Sequence, residues 1–212
     1  MIRAVCEMPV KWAASPPVQL ALHELESELP RIFGPSVDLR VTLEMSQPGR
    51  DWKLSPDRIE WSSDGRGNIR LRGNHPRAVL FAAYAWLESL GLRWLFPGPK
   101  GKHHPAASAR PPRRSRFRSE AAFLHRGIAT EGAFKGPELV AFIEWMARQR
   151  LNHVFLQFES GRIFYRRADA SVSEALVRQW DRDAVRCIEE RGLILEKVGH
   201  DWLNKAFRFG VT

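Results

Sequence analysis

The chain has 212 residues, 44% hydrophobic and 27% charged, which supplies a sizeable core and excludes disordered and collagen-like classes. Basic residues outnumber acidic ones by 33 to 24, but five of the arginines (Arg110, Arg113, Arg114, Arg116 and Arg118) crowd around Pro111 and Pro112. A proline-interrupted basic run with no recognisable nucleic-acid module around it reads as a solvated connector, so a nucleic-acid partner is not expected.

Taken in order, Met1 to Val10 contains Arg3 and Glu7 and lacks the apolar core of a signal peptide, and no later run reaches the ~18 apolar residues of a membrane span. A cytoplasmic chain is the default expectation, or a secreted or periplasmic one if an export signal has been removed. Val18, Leu22, Leu25, Leu29 and Ile32 recur at helical spacing after the cap Ser15-Pro16, and Gly34-Pro35 ends the run. Val37 to Met45 alternates as a half-buried strand. Ile59 to Trp61 and Ile69 to Leu71 flank the turn Asp64-Gly65-Arg66-Gly67 and predict a hairpin. Asn74 and Pro76 open a second helix with the stripe Val79, Ala83, Trp86 and Leu90, which Gly91 closes before a short strand over Leu92 to Phe96.

Beyond Phe117 the pattern changes. An apolar segment Ala121 to Ala129, a helix Pro137 to Arg150, a strand Asn152 to Phe158, a helix Ser171 to Arg191 and a strand Leu193 to Val198 alternate strictly, which implies parallel pairing. The expected organisation is an α+β unit over residues 1–109, with two helices on one face of a mixed or antiparallel sheet. A basic linker over 110–118 follows, and then the opening strands and helices of a (β/α)₈ barrel over 119–212. A complete barrel takes ~250 residues, so only part of one is expected here.

The run Arg72-Gly73-Asn74, Ala82 to Glu88 and Leu90 to Gly98 resembles the non-catalytic N-terminal domain shared by β-N-acetylhexosaminidases and α-glucuronidases. His125-Arg126-Gly127, Arg150-Leu151-Asn152 and Gly199-His200 are similar to the first three barrel strands of the hexosaminidases. That resemblance implies a glycoside hydrolase whose catalytic carboxylate pair lies on later strands, with Arg126 supporting the barrel through a buried pair. The sequence departs from the hexosaminidase pattern at Glu131 and Phe134, where that family carries an aspartate and a substrate-binding arginine. It departs again at Gln157 and Glu159, where the family carries histidine and aspartate. The alternative reading is a carbohydrate-binding or docking module without chemistry.

Active sites of such barrels sit at the carboxyl ends of the strands. The candidate substrate-binding residues are therefore Glu131, Gln157, Glu159, His200, Asp201 and Trp202, with oligosaccharide or polysaccharide as the expected partner. His200, Asp201 and Trp202 combine an imidazole, a carboxylate and an indole face, the groups that bond sugar hydroxyls and stack on a pyranose. No catalytic residue is assigned within the chain. Cys6 and Cys187 lack metal-ligand or disulfide spacing and are expected reduced and buried, His103-His104 lacks further ligands, and no glycine loop opens a helix. No metal, cofactor or membrane contact is expected.

Overall fold

The computed structural model describes residues 1–34, 36–46, 48–108, 110–130, 136–157 and 174–198. Strand β1 (Ile2–Glu7) leads through the one-turn α1 (Val10–Ala13) into α2 (Pro16–Ile32), β2 (Leu39–Met45), β3 (Arg58–Ser63), β4 (Asn68–Gly73) and α3 (Pro76–Ser89). A two-stranded ladder of β5 (Arg93–Trp94) and β6 (Lys102–His103) precedes β7 (Ser115–Glu120). The remainder is β8 (Gly127–Thr130), α4 (Pro137–Arg148), β9 (His153–Gln157), α5 (Glu174–Glu190) and β10 (Ile194–Val198).

The first sheet has the order β1-β2-β4-β3-β7 and is mixed: β1, β2 and β4 run parallel, and β3 is antiparallel to both β4 and β7. Alternation decides its two faces. Leu39, Val41, Leu43, Ile59, Ile69 and Leu71 are buried beneath α2 and α3, while Arg40, Arg70 and Arg72 are exposed on the opposite face, which no helix among the described residues covers. Helix α2 buries Val18, Ala21, Leu25, Leu29 and Ile32, as its spacing predicts. Helix α3 departs from the predicted stripe, because every residue from Pro76 to Leu87 is buried. It lies between the sheet on one side and α2 and α4 on others, which requires an apolar surface nearly all round. Gly73 permits its close approach, since a Cβ there would stand 2.3 Å from the Val79 nitrogen.

The second sheet is parallel, in the order β10-β9-β8, as the alternating elements imply. Ile143, Met146, Cys187 and Ile188 from α4 and α5 join Val154 of β9 in the same continuous core that holds the first sheet. The layers therefore succeed one another as mixed sheet, helices α2 and α3, helices α4 and α5, and parallel strands.

Three expectations are corrected. Residues 115–118 of the predicted linker belong to strand β7, which pairs along the whole of β3 although all six of its residues are exposed. Backbone hydrogen bonding to an otherwise open sheet edge holds it, not burial of its side chains. The strand predicted from Ala121 begins only at Gly127, because the Arg126 carbonyl takes the Asn152 and His153 amides and fixes the chain just before the ladder starts. Cys6 is half-buried on edge strand β1, whereas Cys187 is buried and its thiol is pushed up to about 11 by burial. Among the described residues no helix is long and apolar enough to cross a membrane.

Trypsin offers a direct check on β7. Cleavage is expected first after Arg113 or Arg114, and later after Arg116 and Arg118, whose peptide groups are committed to the ladder. First cuts after Arg116 or Arg118, read by mass spectrometry, would show that β7 is not held.

Candidate functional site

Parallel pairing brings the carboxyl ends of β8, β9 and β10 to one edge: Thr130 is level with Leu156, and Gln157 with Val198. Gln157 is thus the last residue of β9, at the edge where the predicted site belongs. Its side chain, and all of Glu131, Glu159, His200, Asp201 and Trp202, lie outside the described residues. The described structure therefore neither brings the predicted cluster together nor separates it.

Two groups that the sequence did not single out lie on the strands themselves. His153, the first residue of β9, is buried, and its Nε2 stands 3.1 Å from Oε2 of Glu196 on β10. Its ring is 4.0 Å from that of Phe155 and 4.8 Å from that of His125. Burial holds the imidazole below its ordinary pKa, Glu196 opposes that, and His125 and Arg77 reinforce it. The signal in the sequence was alternation: Val154 is buried with the helices, so His153 and Phe155 belong to the opposite face.

A second constellation joins the mixed sheet to the parallel strands. Asp57, just before β3, is 4% exposed. Its Oδ1 accepts from Nε of Arg77 at 2.9 Å, and its Oδ2 from the guanidinium of Arg126. Arg77, on the first turn of α3, also donates to the Gly192 carbonyl at 3.0 Å and the Lys53 carbonyl at 3.2 Å. Arg126 donates to the carbonyls of Phe123 at 2.8 Å and Arg150 at 3.0 Å, and its amide to Asn152 Oδ1 at 2.8 Å. The buried-pair role that the resemblance implies for Arg126 is thus filled by Asp57. Trp52 covers the cluster, 5.3 Å from the His75 ring and 5.9 Å from the Arg77 guanidinium. Gly192 is required beneath it, because its φ is +62° and a Cβ would stand 2.9 Å from the indole.

His75 caps α3 by accepting the Ala78 amide at Nδ1, which fixes the neutral tautomer with the proton on Nε2. That nitrogen is 3.2 Å from Asp57 Oδ1, close enough to feel the carboxylate but not aligned as a hydrogen bond. Burial pulls the His75 pKa down to about 4, against the opposing pull of Asp57.

Elsewhere the interface is tied by Glu24, which accepts from Arg148 at 3.0 Å and from the Tyr84 hydroxyl at 3.3 Å. Glu28 binds Lys102 and, at 2.7 Å, His104. Burial would raise the Glu28 carboxyl, but those two hydrogen bonds outweigh it and hold it below its usual range. His104 is thus already in contact with Glu28, and among the described residues no group of three or more His, Cys, Asp or Glu is placed to hold a metal.

The fold so built, a mixed sheet with two helices on one face joined to a parallel strand–helix unit, is one found in glycoside hydrolases. The whole chain superposes on 26% of a GH138 enzyme targeting pectin rhamnogalacturonan II, with a TM-score of 0.59 and 12% identity. A further similarity covers 86% of the chain and 24% of the family 89 glycoside hydrolase of Clostridium perfringens in complex with GlcNAc-alpha-1,4-galactose, with a TM-score of 0.50 and 13% identity. The chain thus spans about a quarter of the length of either structure. No protein-family model matches the sequence, and no curated protein matches it significantly.

Two measurements test the buried cluster. Replacing Asp57 by alanine strands two guanidinium groups away from water and is expected to cost about 3–5 kcal/mol in urea unfolding; a loss under ~1 kcal/mol would show that water or another anion takes its place. His75 contributes stability that is complete above its unfolded pKa of about 6.5 and is lost as pH falls toward its folded value. The stability of the native chain over a His75→Asn variant, which keeps a capping acceptor, should shrink by roughly 2 kcal/mol between about pH 7.5 and pH 4.5. A pH-independent difference would contradict burial of the neutral ring.

Proposed function

We propose that this chain contributes to a glycoside hydrolase, as the accessory α+β domain and the opening strand–helix units of the catalytic (β/α)₈ barrel. One observation carries the reading: the likeness to a glycoside hydrolase extends over 100% of the chain, through both sheets. The parallel order of β8, β9 and β10 agrees with it, since successive barrel strands are neighbours linked by helices. Substrate would approach the carboxyl ends of these strands, where Glu131, Gln157, Glu159, His200, Asp201 and Trp202 follow in sequence. The acid and its partner carboxylate would come from later strands, by the α-glucuronidase or hexosaminidase pattern. In this scheme His200, Asp201 and Trp202 bind a sugar through hydroxyl hydrogen bonds and ring stacking, and Glu131, Gln157 and Glu159 line the same mouth. Among the described residues, α2 packs on α5 and α3 on α4, which joins the accessory unit to the strand–helix unit.

The test is hydrolysis of O-glycosides by the whole gene product, with His200 replaced by alanine. Turnover is expected in the native protein, with kcat/KM reduced roughly tenfold or more and the melting temperature nearly unchanged in the variant. Absence of hydrolysis and of binding across neutral and acidic oligosaccharides would overturn the assignment. A large stability loss with unaltered kinetics would make His200 structural.

A further inference from the structure

The face of the mixed sheet turned away from the helices is built of arginine. Register places Arg72 on β4 opposite Glu60 on β3, and Glu60 opposite Arg118 on β7; one step along, Arg70, Ser62 and Arg116 form a second row. The glutamates are committed diagonally, Glu60 to Arg116 at 2.7 Å and Glu44 to Arg70 at 3.2 Å. Arg72 and Arg118 are left exposed with no carboxylate partner among the described residues. Two adjoining depressions, of about 940 and 540 Å³, run over this face, and Arg72 and Arg116 line both. The second ends at Trp52 and also takes in Arg118.

We infer that this trough is a binding surface, separate from the strand-end site, for a carboxylate-bearing polysaccharide of the polyuronate class. The inference rests on the carbohydrate reading above and adds the chemical class of the chain that is held. Two guanidinium groups without a carboxylate partner among the described residues, two strands and so about 10 Å apart, offer paired donors to carboxylates spaced along a polymer. Glu44, Glu60 and Ser62 lie between them and accept from sugar hydroxyls, while Trp52 presents an indole at one end. The same pattern suits nucleic acid poorly. Trp52 alone cannot stack successive bases, and a flat sheet face carries nothing to enter a groove.

The experiment is titration of the purified 212-residue chain at about 50 mM NaCl with a de-esterified oligogalacturonate, its fully methyl-esterified counterpart and a short duplex DNA. Saturable binding of the de-esterified oligomer is expected, with none to the esterified one and weaker binding to DNA. The Arg72→Gln and Arg118→Gln variants should each weaken it by roughly tenfold. Both side chains are exposed, so melting temperatures should stay at the native value, and Arg40→Gln, at a paired position outside both depressions, should bind as the native chain does. Native affinity in both variants, equal binding of the esterified oligomer, or tighter binding of DNA would overturn the proposal. Hydrolysis of neutral glycosides by the whole gene product without uronate binding sinks this inference alone; uronate binding without hydrolysis sinks the enzyme reading alone.

Discussion

The carboxylate of Asp57 is the point on which the two sheets meet. It lies at the start of a strand of the mixed sheet, and the guanidinium groups that close on it come from α3 and from the segment leading into β8. A carboxylate this deeply buried would be prohibitively unfavourable alone; with two guanidinium partners it is satisfied, and each arginine carries surplus donors to backbone carbonyls. Those carbonyls belong to Lys53, Phe123, Arg150 and Gly192, so one buried ion fixes four separate loops. Directionality is what apolar packing between the helix layers cannot provide.

The consequence for function is geometric. Arg126 orients the entry to β8, and Asn152, bonded to both the amide of Arg126 and the carbonyl of Leu124, sets β9 beside it. Gly192, at the turn into β10, is held by Arg77. Each of the three parallel strands thus starts from a residue tied to this cluster or to its neighbour. Their carboxyl ends, where a sugar-binding mouth is proposed, inherit that alignment over only a few residues of strand. The mixed sheet is in this view a scaffold for the first strands, and among the described residues no helix covers its far face.

Much of the scaffold was legible in the sequence because it obeys simple periods. The spacing of Val18 to Ile32, the alternation after Val37, the glycine turn at residues 64–67 and the repeated strand–helix order beyond Pro137 each report one buried face. The strands β1 and β7 were not legible, for different reasons. Ile2, Ala4 and Cys6 are too few and too small to mark a strand before its parallel partner is known, and β7 has Phe117 as its single apolar residue among arginines and serines. The Asp57 cluster was hidden because Asp57 and Arg126 are 69 residues apart and Arg77 and Gly192 are 115 apart, and only Arg126 carried a hint, through the resemblance. The predicted mouth residues were chosen from strand ends, and apart from the backbone of Gln157 they lie outside the described residues.

A double-mutant cycle between Asp57 and Arg126 tests most directly whether this buried pair joins the two sheets. Asp57→Asn, Arg126→Gln and the double variant would be unfolded in urea beside the native chain. The account predicts one cooperative transition in the native protein and a coupling energy of about 2 kcal/mol or more between the two positions. Additive losses with coupling below ~0.5 kcal/mol, or two separate transitions in the native chain, would contradict it.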